Sequence, residues 1–564
     1  MKHMSEKDNK PRGKAPKAPT AHREGGFSNK QGGARASKPF TRRDGKHEAK
    51  SADRHFDPRK GVSEQYAKRF EKPKADKAQP DGKKVMQGGT YARPAKGDFP
   101  GRNKPANGPK PAKRQEHASG SDARIAALKA LYDVYYLNAY SNLSLDKQLK
   151  QTELSPEDRR LATNIFYQCV ENRRKIEFML EPFIKQEPEQ IVTCILHIAA
   201  AQILFLDRVP EFAAVNEAVK EARLYKRDEA AGFVNVVLRN LIRAKENGEI
   251  HLPSREEDPQ KYLEITYSAS RDAVGLLCDA FGVEEAEKIL SYKPEERYET
   301  IRPNLLRYSD AELESALNAQ EIAWEKAPVP HGYYVKNAGN LAQSELFTRG
   351  LISIQGVSAM LAAMALEAKR GMTVLDACAA PGGKAALICE LMQGSGRVYA
   401  WDLHDHRVEM MKSNGKRLGL DNLRCAARDA TQLKDDMTRL MDAVIIDAPC
   451  TGLGVIADKP DIKYHLTRAK LKDITSTQEK LLDTCCEYVK VGGRLVYSTC
   501  TLLPQENREQ IDAFLLRHPE FKLDTDTGYL PEPFRAKCEN GMLSLFEHRD
   551  GVEGFFIARL IRVL

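Results

Sequence analysis

One stretch limits what this chain can fold into: Thr373-Val374-Leu375-Asp376-Ala377-Cys378-Ala379-Ala380-Pro381-Gly382-Gly383-Lys384. An apolar run of strand length ends at Asp376. A loop of small residues follows, and Ala385-Ala386-Leu387-Ile388 opens a helical pattern. Strand, tight glycine turn and helix in that order form the nucleotide-binding corner of a doubly wound α/β sheet. Gly382 and Gly383 have no Cβ, so the backbone there can approach a ligand closely. The spacing is not G-x-G-x-x-G, which argues against a dinucleotide fingerprint. A bare turn with no ligand is outweighed by the residues downstream.

Those residues repeat one theme, an apolar run ending in an acid or a thiol. Arg397-Val398-Tyr399-Ala400-Trp401-Asp402 is a short strand ending in an acid, placed to accept hydrogen bonds from ribose hydroxyls. Asp429 follows a third strand-like run at Leu423-Arg424-Cys425. Ala443 to Cys450 reads as a fourth strand, ending in Asp447 and a thiol. Arg494 to Cys500 reads as a fifth, also ending in a thiol. Ligands of an open parallel sheet sit at the carboxyl ends of its strands. Cys450 and Cys500 therefore reach the same edge as the glycine turn. A lone cysteine is usually a small buried hydrophobe, the reading that suits Cys169, Cys194, Cys278 and Cys389.

At 564 residues the chain holds several domains. Its charge is divided unevenly. Residues 1–120 carry 31 Lys and Arg against 13 Asp and Glu, a net of +18, so the remainder carries −9 of the overall +9. Residues 1–118 lack apolar periodicity and are expected to be a disordered basic tail, either a loose RNA-contacting arm or a solubilising segment. No apolar run is long enough to span a bilayer and no secretory signal is visible, so the expected location is cytoplasmic. The 11 cysteines show neither C-x-x-C pairs nor zinc spacing; they are expected to be thiols, with no metal site.

From Ser121 the pattern is helical, with Ile125, Leu128, Leu131, Tyr132 and Tyr135 on one face. Ser155-Pro156-Glu157-Asp158 has the form of a capped helix start. Residues 119–247 read as a small all-helical domain, in which Arg173, Arg174 and Lys175 are either RNA contacts or a solvated face. Residues 248–345 read as a linker and a small α+β subdomain, with strands at Thr300–Asn304 and Gly332–Val335 and with Arg302 and Asn304 able to meet a phosphate or sugar. Residues 346–564 complete the α/β domain.

Three motifs carry a resemblance. Asp-Ala-Cys-Ala-Ala-Pro-Gly-Gly-Lys (376–384), Asp-Ala-Pro-Cys-Thr-Gly-Leu-Gly (447–454) and Tyr-Ser-Thr-Cys-Thr-Leu-Leu-Pro-Gln-Glu-Asn (497–507) resemble the S-adenosylmethionine-dependent RNA cytosine-5 methyltransferases. Ala-Leu-x-x-Leu-Tyr, Arg208-Val209-Pro210 and Phe233 to Arg239 resemble a NusB-like RNA-binding domain. Together they make the chain similar to the bacterial Sun/Fmu (RsmB) family of 16S rRNA enzymes over about residues 120–564, including Asp550-Gly551-Val552-Glu553-Gly554-Phe555-Phe556. One departure is Ala457-Asp458, where the family often has arginines. The resemblance implies a Rossmann-like catalytic domain behind the helical one and a monomer acting on RNA, most simply rRNA. Transfer RNA, large-subunit rRNA or a non-catalytic assembly role are the alternatives. It implies an S-adenosylmethionine cradle of Cys378, Ala379, Ala380, Pro381, Gly382, Gly383, Lys384, Asp402, Asp429 and Asp447. It also implies Cys500 as nucleophile and Cys450 as the thiol assisting release; the charge that develops at N3 during such an addition calls for a neutralising group, for which Asp447, as a protonated carboxyl at N3/N4, is the candidate. In the DNA enzymes the Pro-Cys thiol attacks, so chemistry alone leaves the order of the two thiols open.

Overall fold

The computed structural model describes residues 120–564, apart from Asn138, Lys226, Arg297 and Asn337. The expected basic tail lies outside the described residues. The first helices surround one that is buried nearly all round, Gln190–Phe205, as expected of a helix apolar on every face. Gly120–Tyr136, Pro156–Glu171, Glu211–Leu224 and Asp228–Glu246 pack against it. Ser155 caps its helix through its side chain, which accepts from Asp158 N at 3.0 Å.

A four-stranded antiparallel sheet follows. It is built from β1 (Glu299–Pro303), β2 (Ala323–Lys326), β3 (Tyr333–Lys336) and β4 (Ile352–Ile354), in the order β2-β3-β1-β4. A boundary at 345/346 cuts through this unit, because β4 pairs with β1. The strands β2 and β4 are too short to show a period in sequence. Arg302 and Asn304 do not face a solvent-borne ligand. Arg302 is wholly buried, donating to Glu390 at 2.5 Å and to Gln355 at 2.8 Å. Asn304 donates to the carbonyls of Gly350 and Leu418, at 2.9 Å each. A buried arginine needs such partners, and here they join the small sheet to the large domain.

The large sheet contains β5 (Thr373–Asp376), β6 (Arg397–Asp402), β7 (Leu423–Ala427), β8 (Met441–Asp447) and β9 (Val489–Thr499), all parallel. An antiparallel flank of β10 (Phe521–Leu523), β11 (Cys538–Glu539), β12 (Met542–Leu545) and β13 (Phe555–Arg562) extends it beyond β9. The order is β11-β12-β13-β9-β8-β5-β6-β7, with β10 beside β13. Successive residues alternate between two cores: Val374, Ala443, Ile445 and Val496 enter one, and Leu375, Val444, Ile446 and Leu495 the other. Both faces are therefore covered, as parallel sheets require.

The run after Gly454 docks the helical domain. The Ser141 hydroxyl donates to Asp461 at 2.6 Å. The Tyr464 hydroxyl donates to Val170 O at 2.6 Å and accepts from Arg173 N at 3.3 Å. Lys463 donates to Tyr267 O at 2.7 Å and to Glu171 O at 3.2 Å; burial lowers its pKa to about 8. Arg173 and Arg174 also pair inward, with Glu177, and Arg174 with Glu264 as well. Among the described residues, no helix is long and apolar enough to cross a membrane.

Candidate active site

The chain leaves β5 for β6 and β7 on one side, then returns to β8 on the other. The carboxyl ends of β5 and β8 thus flank a topological switch point, where ligands of such sheets bind. Asp376 ends β5, Asp402 ends β6 and Asp447 ends β8. Asp429 stands two residues beyond the end of β7.

The glycine turn occupies the β5 side. Ala379 N donates to Trp401 O at 2.7 Å, tying the turn to the end of β6. Gly382 has φ 102°, a conformation that favours glycine, and opens the helix Gly383–Leu391. No side chain caps that helix, so its positive end is presented at the turn. Cys378, Ala380, Gly383 and Lys384 are half-buried, Ala379 and Gly382 are buried, and Pro381 is exposed. Asp402 accepts from His404 N at 3.0 Å, while its other oxygen lies 3.8 Å from Arg407. Asp429 takes bonds from the Thr431 hydroxyl at 2.6 Å and from Thr431 N at 2.9 Å; these hold its carboxyl below the ordinary range.

Two further groups stand here, Asp376, which the sequence places at a strand end without a role, and Gln355, which the sequence reading missed. Asp376 is wholly buried and neither carboxylate oxygen has a partner. Burial, then the nearby Asp447, push its pKa up to about 7. The visible signal was an acid closing an otherwise apolar strand. Gln355 gives its oxygen to Arg302, which can only donate. Its amide nitrogen is therefore turned away from Arg302 and is left buried without a partner, and the amide lies against Gly383. Unpaired buried groups call for an explanation. An unpaired acid, an unpaired donor and an uncapped helix end fit a nucleoside ligand that carries an amine and a carboxylate.

Asp447 joins this half to the thiols. It accepts from Lys384 Nζ at 2.7 Å and from the Ser498 hydroxyl at 3.0 Å. Burial opposes the Lys384 charge, but Asp447 holds its pKa above the ordinary lysine value. The same ammonium lies 5.2 Å from the centre of the Phe555 ring. Cys450 and Cys500 are both half-buried, with sulfurs 3.3 Å apart. The hydrogen bond between them, then burial and Glu506, raise Cys450 well above a free thiol. The same bond, aided by Lys384 and Lys459, holds Cys500 below one despite burial. Of the two thiols, Cys500 is therefore the more acidic. Gly454 and Gly554 close the floor: Gly454 N donates to Cys500 O at 2.9 Å and Gly554 N to Gly454 O at 2.8 Å.

Elsewhere, Cys486, Glu487, His518 and Glu520 bring possible metal-ligand atoms within 4.8 Å of one another. There His518 already bridges Asp483 at 3.0 Å and Glu520 at 3.1 Å, as an ion-pair network would have it.

The edge of this sheet has counterparts. Residues 363–561 match the family model described as 16S rRNA methyltransferase RsmB/F, and residues 121–243 match the NusB family. A probable ribosomal RNA small subunit methyltransferase B of Bacillus subtilis is 37% identical over 447 residues, covering 78% of this chain and 98% of the relative. A protein of the same description from Synechocystis is 32% identical over 448 residues, covering 78% and 99%. The solved structure titled "Crystal Structure of PH0851" superposes with a TM-score of 0.67 at 25% identity, covering 80% of this chain and all of that one. The glycine turn, the strand-tip acids and both thiols lie inside the matched region, and the likeness to whole relatives runs through the helical domain as well. The chain belongs to the 16S rRNA methyltransferase RsmB/F family.

Proposed function

We propose that the chain methylates C5 of a cytosine in small-subunit ribosomal RNA, with S-adenosylmethionine as methyl donor and Cys500 as nucleophile. The observation that carries the chemistry is the pair of sulfurs 3.3 Å apart, with unequal surroundings, beside a glycine turn at a switch point. C5 of cytosine is a weak nucleophile. Addition of the Cys500 thiolate to C6 converts the ring to an enamine and makes C5 reactive. When bound, S-adenosylmethionine supplies an electrophilic methyl group. Asp447 and Lys384 act together at N3 and N4, where charge develops during addition, Asp447 accepting from the amino group and Lys384 neutralising.

Release then follows from the same pair. Once Cys500 is bonded to C6 it no longer holds the Cys450 proton. The main influence raising Cys450 is gone, so Cys450 gives its proton to solvent, and its thiolate assists removal of the C5 proton as the C6–S bond breaks and Cys500 leaves as a thiolate. The target base reaches this pocket only out of its stack, so a loop or partly unpaired RNA is the substrate form. The helical segment 119–247 and the small α+β unit from 248 hold the RNA, the remainder performs catalysis, and the basic tail 1–118 adds sequence-independent attraction. The working unit is a monomer in the cytoplasm, where all 11 cysteines stay reduced.

Bisulfite sequencing of RNA from a deletion strain tests the target. One 5-methylcytosine should vanish from small-subunit rRNA. Its loss from tRNA or large-subunit rRNA would move the target, and no loss anywhere, with no calorimetric binding of S-adenosylmethionine, would leave a non-catalytic assembly factor.

A further inference from the structure

The register of β8 and β9 ends at Asp447 and Ser498, with one more bond from Ala448 N to Ser498 O at 2.8 Å. Cys450 and Cys500 lie beyond it, in separate loops 50 residues apart in sequence. Strand pairing does not fix their separation. The backbone bond from Gly454 N to Cys500 O and a contact of the Thr451 and Thr501 hydroxyls at 2.7 Å cross between the loops, and one carboxylate gathers both. Glu506 sits in the short turn Pro504–Glu506 after the second thiol and is fully buried. Its Oε2 accepts from Thr451 N at 2.8 Å and from Gln478 Nε2 at 3.1 Å. Its Oε1 accepts from the hydroxyls of Thr451 at 2.5 Å and Thr501 at 3.0 Å. Gln478 Nε2 also donates to Pro449 O at 3.0 Å. Thr451, after Cys450, and Thr501, after Cys500, are thus gathered on one group, and Pro449, before Cys450, is tied to it through Gln478.

We propose that Glu506 is a positioning residue for the reaction: its carboxylate sets the distance and orientation of Cys450 against Cys500 without touching substrate. The proposal rests on the reading of Cys500 as nucleophile. Thr451 N and Gln478 Nε2 can only donate, so an oxygen must face them; the two threonine hydroxyls can donate or accept, and a carboxylate takes all four as an acceptor. Four donors offset much of the cost of burying the charge, although burial still raises the pKa of Glu506.

Diamide, an azo oxidant that takes up the two thiol hydrogens, provides a readout that is not turnover. At 3.3 Å the two sulfurs of the wild type should close to a disulfide, seen as the loss of two hydrogen masses in the peptide pair. In Glu506→Ala this capture should slow about 10-fold or more, and kcat should fall about 100-fold, the scale of a misplacement near 1 Å; Glu506→Gln, whose amide can still donate to the threonine hydroxyls, should fall between that variant and the wild type. The KM for RNA and the affinity for S-adenosylhomocysteine should hold, because the cofactor turn lies on other strands. The pH at which kcat reaches half its maximum should rise as the preference for charge on Cys500 weakens. Should Glu506→Ala fail to fold, Thr451→Val and Thr501→Val each remove one tie and should move capture and kcat together, in the same direction. A folded Glu506→Ala variant that captures at the wild-type rate overturns the proposal. A different result, an RNA adduct on Cys500→Ala, overturns the nucleophile assignment and leaves the capture result standing.

Discussion

At the tips of β5 and β6, Asp376 keeps both carboxylate oxygens unpaired, Gln355 keeps an amide nitrogen unpaired, and a helix starts without a cap. At the tips of β8 and β9, Glu506 takes four side-chain or backbone donors, and the Asn507 amide donates to Thr501 O at 3.0 Å while its oxygen takes the Thr499 hydroxyl at 2.6 Å. The two halves share one sheet edge and one bridging ion pair, Lys384 with Asp447. The difference follows from what each half must do. A half that receives a ligand carries groups whose partners arrive with it. A half that holds a reactive pair at fixed distance needs its bonds closed beforehand.

The largest expected effect strikes the thiol half. Cys500→Ala should form no covalent RNA adduct and lose turnover by about 10⁴-fold or more, the scale for removing a nucleophile. Cys450→Ala should still add and transfer, then stall, leaving a gel-shifted complex that resists denaturant. A trapped complex with Cys500→Ala and none with Cys450→Ala would reverse the roles. Near-wild-type turnover for both would reduce the pair to two buried hydrophobes.

The next effect tests whether the cofactor half really stores unsatisfied polarity. Asp376 has an ordinary value of 3.8 in the unfolded chain and about 7 in the fold. Between those values the folded chain holds a proton that the unfolded chain has released. Stability contributed by this group therefore falls as pH rises from about 4 to 7. The penalty is complete above that window and absent below it. At face value it reaches about 4 kcal/mol, with the opposing pull of Lys384 already included. Asp376→Asn stays neutral, so by calorimetry or denaturant melts it should gain on the wild type as pH rises through the window, with no difference near pH 4. A constant difference across the window would place the titration elsewhere.

Gly454→Ala should injure only the thiol half. A methyl group there collides with the Gly554 carbonyl and crowds Cys500 O, so the two loops must part. Turnover should drop about 100-fold. Titration with S-adenosylhomocysteine should give the wild-type affinity; a parallel loss of that affinity would show the halves to be one mechanical unit.

The contrast also explains what the sequence could tell. The glycine turn and the acids at strand ends are local: a few consecutive residues carry strand, turn and helix, and the fold puts Asp376, Asp402 and Asp447 at adjacent tips. Both thiols were legible for the same reason. The Glu506 ties join Thr451 to a residue 55 positions away, and no period or spacing encodes such a pairing. Arg302 misled because an arginine in a short strand before a proline has the look of a surface group. Its partner Glu390 is 88 residues on, at the far end of the helix that the glycine turn begins. The antiparallel flank β10–β13 also stayed hidden, since two of its strands run to three residues or fewer.

The smallest effect concerns Asp402. One of its oxygens is engaged by His404 N at 3.0 Å, and the other has only Arg407, 3.8 Å away, beside it. It is 6% exposed, so a ligand hydroxyl meeting it would do so with little competing water. Hydrogen bonds to a charged group contribute about 1.5–3 kcal/mol, so Asp402→Ala should weaken S-adenosylmethionine by roughly 10- to 150-fold in a calorimetric titration. The loop bond to His404 N is lost in the same variant, which alone could loosen the turn. Analogues separate the two causes. With a cofactor analogue lacking both ribose hydroxyls, wild type and Asp402→Ala should bind equally, because the interaction has already been removed from the other side. If Asp402→Ala still binds that analogue more weakly than the wild type does, the acid serves the turn and not the ribose. Turnover at saturating cofactor should remain near wild type in either case, since neither thiol depends on the tip of β6.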